Sequence, residues 1–288
     1  MDIFSDLGTP IVMGILLGGL YSLIALGLSI VFGVMKLINV AHGDLVILSS
    51  YIGFAFLSRF GVDPIISLVI GIPVLFGIGY FLQTFLLNRA FKISMEAPLI
   101  IAFGVSIVFQ NAFQMAWSPM SRGLTTSYAL NSFNLGGIHV PLIYLLDFVI
   151  AILVMLFLRE FLRRTYLGKA INAASQDRGA AHLMGINTNR VYAFAFGLAM
   201  IFAAIAGVFL GLTFPFTPAS GPSYLIIAFG VIVLGGMGNM LGTFIGGVIM
   251  GLAQTMGGYF LNATAQMLVA YVIVLIIMTV RPQGIFGR

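Results

Sequence analysis

The sequence predicts an all-α, polytopic transmembrane helical bundle of about eight to nine spans, with inverted repeats and broken helices. Of the 288 residues, 60% are hydrophobic and only 7% are charged, against about 25% charged in soluble domains. A mean hydropathy of +1.13 over the whole length is more apolar surface than a water-soluble shell can enclose. The apolar residues also fall into successive runs near the ~20 residues that one crossing requires, joined by short polar links. The chain therefore reads as one transmembrane domain, 1–288, carrying a single long polar segment at 159–190.

The first apolar run, 11–35, is too long and too acidic in its approach (Asp2, Asp6) for a cleaved signal peptide. Further spans are expected at 42–58, 64–88, 97–117, 138–158, 191–213, 221–236, 239–257 and 263–280, of which 42–58 and 221–236 are short enough to be partly re-entrant. With the N-terminus outside, the inner loops hold eleven Lys or Arg and the outer ones only Arg59 and Arg122. That asymmetry fixes an N-out, C-in orientation, and accounts for the net charge of +5 without nucleic acid. With an odd span count, spans 1–4 and 6–9 are expected to be inverted copies.

Small-residue pairs at Gly14/Gly18, Gly207/Gly211, Gly242/Gly246 and Gly247/Gly251 suit close helix packing in lipid. Polar groups within spans cost free energy unless they face protein or water, which makes them candidates for the translocation path. They are Asn39, His42 and Asp44 in the NVAHGD stretch, Gln110 and Asn111 in the fourth span, and Asp147, placed midway through the fifth. The LGGMGN run adds Gly235, Gly236 and Asn239, and Pro215 with Pro218 marks another interruption.

Several chemistries lack their residues. There is no cysteine, hence no disulfide or thiolate site. The histidines His42, His139 and His182 form no HExxH pattern, so no metal is expected. No GxSxG-type turn faces a histidine, and Gly168-Lys169 has Arg163 and Ala170 where a phosphate-binding loop needs Gly and Ser or Thr. The chain is expected to be no enzyme and to bind no cofactor, and the energy for any pumping must come from another polypeptide.

Within 159–190, Ala170 to Met184 reads as one short helix closed by Gly185, with Ile171, Ala174, Ala181 and Met184 on its apolar face. Four stretches, GLYSLIALGLSIVFGVMKLINVAHGD (19–44), GKAINAASQDRGAAHLMGINTNR (168–190), VLGGMGNMLGTFIGGVIMGLAQ (233–254) and RPQGIFGR (281–288), together resemble the LivH-type permeases of branched-chain amino-acid ABC importers. The resemblance implies that 168–190 is a coupling helix gripped by an ATP-binding subunit, with Ala174, Asp177, Arg178, Ala181, Gly185 and Asn187 at the interface. Asn172 and Ser175 replace residues usually charged in that family, which makes this coupling surface less charged.

The same resemblance implies inward passage of branched-chain or other neutral, hydrophobic amino acids by alternating access. It implies as partners a second permease subunit (LivM-like, or a second copy), two cytoplasmic ATP-binding subunits, an extracytoplasmic substrate-binding protein and membrane lipid. Two other readings stay open: an ion-coupled secondary transporter, for which Asp147 is the one intramembrane carboxylate placed well inside a span, and an ABC permease for urea or short amides.

Overall fold

The computed structural model describes residues 3–94, 96–135 and 138–287. They form a helical bundle: α1 (Ile3–Met35), α2 (His42–Phe60), α3 (Pro64–Phe81), the one-turn α4 (Asn88–Ala90), α5 (Ala97–Trp117), α6 (Leu142–Arg164), α7 (Tyr166–Gln176), α8 (Arg178–Leu183), α9 (Thr188–Thr213), α10 (Gly221–Gly235), α11 (Met240–Phe260) and α12 (Gln266–Val280). A π-helical turn, Leu82–Leu87, joins α3 to α4 in one continuous helical run. Among the described residues, seven helical segments are long and apolar enough to cross a bilayer, and α10 and α12 are shorter apolar helices. These nine sit where the nine spans are expected.

α1 and α9 form the centre and are buried nearly all round, whereas α3 and α5 leave most of their surface uncovered. The contacts pair off in a regular way. α1 packs on α11 as α9 packs on α3, α2 lies on α9 as α10 lies on α1, and α2 meets α10. α5 touches α2 as α12 touches α10. Exchanging α1, α2, α3 and α5 with α9, α10, α11 and α12 preserves this pattern, as an inverted repeat requires. α6 to α8 have no counterpart in the exchange.

The small-residue stripes make the central contact. A Cβ on Gly14 would strike the Leu252 backbone, and one on Gly18 or Gly251 would strike the other helix's main chain, so α1 and α11 approach backbone to backbone. On the other side of the repeat, α3 and α9 are held apart by side chains: Gly79 faces Met200, and Gly197 faces Phe76. The two halves share a packing scheme while filling it with different residues.

At the Met35 end of α1, which also carries Arg159, Lys169, Arg190 and Arg281, the bundle is basic. At the opposite end an antiparallel hairpin, β1 (Ser132–Leu135) and β2 (Ile138–Pro141), lies over α1, and Arg122 pairs with Phe216 through two 2.8 Å backbone hydrogen bonds. Residues 138–141 are thus strand rather than the start of a span, and α6 begins only at Leu142. Pro141 has an extended backbone and stands immediately before the helix, where its fixed φ and missing N–H are tolerated. Also at this end, the Tyr128 hydroxyl donates to Asp63 Oδ1 at 3.1 Å, and burial pushes its phenol up to about 12, so it remains a donor.

Candidate functional site

The two short crossings explain how the middle of the bundle is built. His42 Nε2 donates to the Ile24 carbonyl at 2.8 Å, and Ile24 lies eleven residues before Met35 on α1, about 16 Å along the axis. Residues 36–41 therefore fold back from the basic end to about half the depth of a ~30 Å apolar layer before α2 starts. Leu37, Asn39 and Ala41 on this limb are buried. On the other side, residues 214–220 return from the end of α9 and start α10 at Gly221, with Phe216 fully buried. Neither segment is a hairpin that exits where it entered: each is an extended limb followed by a helix that completes the crossing.

The two helices begin face to face. A Cβ on Gly43 would collide with the Gly221 carbonyl, and one on Gly221 would collide with the Asp44 backbone and carboxylate. Only glycine permits this approach. Two helix N-termini bring two sets of unpaired N–H groups and two positive dipole ends together. Asp44, fully buried in the first turn of α2, lays its carboxylate against the first residue of α10.

Asp44 also ties in a third helix. Ser106 Oγ on α5 donates to Asp44 Oδ2 at 2.5 Å, and Gln110 Nε2, one turn further on, donates to Ser106 Oγ at 3.0 Å. The Asn39 side-chain carbonyl accepts from Ala41 N–H at 3.1 Å, shaping the turn into α2. Three buried polar atoms, Asn39 Nδ2, His42 Nδ1 and Asp44 Oδ1, have no partner among the described residues. Asn39 also edges a small apolar cavity of about 10 Å³ between the π turn and α5.

Two turns beyond Asp44, Tyr51 stacks on Trp117 at 4.7 Å and meets Phe216 edge-on at 5.0 Å. Phe113 completes this aromatic plug at 5.3 Å from Tyr51. In this conformation the polar junction is closed toward the hairpin end by aromatic rings.

The other polar candidates lie elsewhere. Asn111 is exposed on the outer side of α5 and donates to its own helix at Ile107 O, 2.8 Å away. Asp147 is not midway along its helix: it lies in the second turn of α6, because the helix starts later than the apolar pattern suggests. It is fully buried and accepts from Thr213 Oγ, the last residue of α9, at 2.9 Å.

Gly235, Gly236 and Asn239 form the turn between α10 and α11 at the basic end, not a break at depth. Gly236 and Gly238 adopt φ of 97° and 85°. The C-terminal segment wraps this turn, with Ile285 N–H bonded to Leu234 O at 2.9 Å and Asn239 Nδ2 to Phe286 O at 3.1 Å. Residues 233–254 and 281–287, from two of the sequence stretches, are thus parts of one structure.

The polar segment makes two helices where one is expected. Asp177 takes an extended backbone (φ −149°, ψ 111°) and accepts from Gly179 N–H at 2.7 Å and Ala180 N–H at 3.0 Å, ending α7 and capping α8. Gly185 follows with φ +82°, as a left-handed helix stop requires.

Ile171, Ala174 and Ala181 are buried against the chain's own spans. Asp177, Arg178, Gly185 and Asn187 are exposed. Arg178 also reaches Asn189 Oδ1 at 3.1 Å and stacks on Tyr192. The barest apolar side chains of the segment are Leu183 and Met184, 87% and 83% bare, with Tyr166 at the start of α7 82% bare. Met184 therefore points away from the bundle rather than joining the buried face, and Leu183 is the residue that helical spacing missed.

Sequence reasoning also missed Ser106 and Gly221. Ser106 stands four residues before Gln110, a spacing that brings both onto one face of α5. The described side chains include no grouping of three His, Cys, Asp or Glu able to hold a metal, and the side chain of His139 lies outside the described residues.

Comparison with known proteins accords with this architecture. Residues 11–278 match the family described as branched-chain amino acid transport system / permease component. The permease protein BraD of a high-affinity branched-chain amino acid transport system in Pseudomonas aeruginosa is 31% identical, with 96% of this chain and 95% of BraD aligned. LivH of Salmonella typhimurium, a permease protein of the same description, is 31% identical over 96% of this chain and 94% of its own. In fold, the chain resembles PsaBC from Streptococcus pneumoniae in complex with Fab, with a TM-score of 0.52 at 16% identity, covering 98% of this chain and 94% of that one. With nearly its whole length matched, the chain belongs to the family of permease components of branched-chain amino acid transport systems.

Proposed function

We infer that the chain is the transmembrane permease subunit of an ABC importer, passing branched-chain or similar neutral amino acids inward, and that it binds no nucleotide, metal or cofactor itself. The basic end is the cytoplasmic one, in keeping with the retention of Lys and Arg on that side, which puts the N-terminus outside and the C-terminus inside. The relatives' names support the substrate class.

The observation that carries the reading is the two-sided α7–α8 elbow. Its inner face, Ile171, Ala174 and Ala181, is buried in the bundle, while Leu183 and Met184 stand almost bare at the basic end. Two large apolar side chains held on a rigidly seated elbow suit a protein partner. A push on them reaches α6 through Gly168, which packs on the Phe161 and Leu162 backbone, and α9 through the short link at 184–187. The partner proposed is an ATP-binding subunit. A second permease chain, a second ATP-binding subunit and an external binding protein complete the assembly.

The path passes the α2–α10 junction, where separation of the two helix starts opens what Gly43, Gly221 and Tyr51 now close. Uptake of radiolabelled leucine into vesicles containing the chain with its co-expressed partners should require ATP on the basic-end side. Uptake sustained by a proton or sodium gradient without ATP would overturn the proposal.

A further inference from the structure

The basic end holds a cluster of cations that has no ion-pair partner among the described residues. Two adjoining cavities, of about 550 and 560 Å³, share Arg159 and Met240 in their linings. Their cations come from three elements: Lys36 at the end of α1, Arg159 and Arg163 on α6, and Lys169 on α7. Neither lining includes an Asp or Glu. Nearby Glu160 is engaged with Arg164, and none of the four cations has a hydrogen-bond or ion-pair partner among the described residues, Lys36 meeting only the Phe32 ring at 5.8 Å. Beside these cations the first cavity is lined by the buried Met155 and by the exposed Leu241 and Phe286.

The position on α6 identifies the ligand. At 100° per residue, Arg159 and Arg163 continue the same helix stripe as Leu145, Val149 and Leu156, which are 37%, 43% and 44% exposed. An apolar stripe left bare by the chain thus ends in two free guanidiniums at the basic end, the arrangement a lipid's acyl chains and headgroup would meet in turn. Guanidinium pairs favour phosphate oxygens, and the neighbouring Met and Leu side chains suit the first methylenes.

We propose that this double cavity binds the phosphate-bearing headgroup of an anionic phospholipid. The inference needs the basic end to lie at a membrane surface, and does not depend on the substrate or on ATP.

The test is native mass spectrometry of the full chain, purified with its partners from mixed phosphatidylglycerol and phosphatidylcholine nanodiscs, beside a thermal midpoint. The wild type should retain phosphatidylglycerol preferentially. Arg159→Gln and Arg163→Gln should each lower that retention roughly fivefold, with Lys169→Gln as a second, milder probe and the protein still eluting as a folded complex.

Equal retention in a variant combining Arg159→Gln with Arg163→Gln would overturn the proposal, and so would stabilisation by inorganic phosphate equal to that by the lipid, which would mark a free-anion site. Retention by the isolated chain that disappears on assembly would show the cavity to be covered by protein, and would overturn it too. Loss of lipid retention with ATP-driven uptake intact would separate this site from the transport reading.

Discussion

The α2–α10 junction and the α7–α8 elbow contrast in what fills them. At the junction two glycines allow main chains to touch, Asp44 is enclosed, and its contacts reach α5 through Ser106 and Gln110. At the elbow the inward residues are Ala and Ile, and the outward ones include the uncovered Leu183 and Met184 beside the exposed Asp177 and Arg178. The first is packed by the chain's own helices, and the second is left bare by them. Substitution should therefore damage folding at the junction and assembly at the elbow.

The largest effect is expected at the junction. Gly221→Val places a branched side chain against the Asp44 backbone, and since main-chain atoms cannot rotate away, the cost should reach about 3 kcal/mol, the upper part of the overpacking range. Little monodisperse protein should survive detergent extraction; a normal yield and thermal midpoint would show that the helices do not meet there. At the elbow, Leu183→Asp combined with Met184→Asp should leave the bundle's thermal midpoint unchanged while cutting recovery of ATP-binding subunits and leucine uptake at least tenfold, an order set by losing two apolar anchors at ~1.5–3 kcal/mol each. A fall in the midpoint, with partners still bound, would reverse the contrast.

A smaller effect separates two variants of one residue. Asp44→Leu strands the Ser106 hydroxyl in the core and should cost about 1–3 kcal/mol, whereas Asp44→Asn keeps an acceptor and should cost less. Thermal midpoints of the two, measured in the same lipid, decide whether the Ser106 bond matters. The smallest is Gly185→Ala, which meets no neighbouring atom but must hold φ near +82°. Its local cost is about 1–2 kcal/mol, and it should lower uptake more than it lowers stability.

Much of this was legible in residue order. Long apolar runs locate α1, α3, α5, α9 and α11, and glycine spacing marks the stripe by which α1 meets α11. Depth was not legible. Nothing in KLINVA announces that it descends into the bundle, because apolar residues suit an extended buried limb as well as a helix end. Asp147 was misplaced because IHVP reads as apolar although it is a strand.

The break at Asp177 did have a signal, since an Asp before small residues is a helix start, but continuous helix formers on both sides obscured it. Gly235 and Asn239 belong to a turn at the basic end because α10 begins at mid-depth, which a span count alone cannot reveal.

The most direct test of the central claim uses the elbow itself. A photo-crosslinking amino acid placed at Met184 should, in vesicles supporting ATP-driven uptake, give one main adduct with the ATP-hydrolysing subunit, changing in yield when nucleotide is trapped. Adducts with lipid alone, or with a protein on the hairpin side of the membrane, would contradict the account.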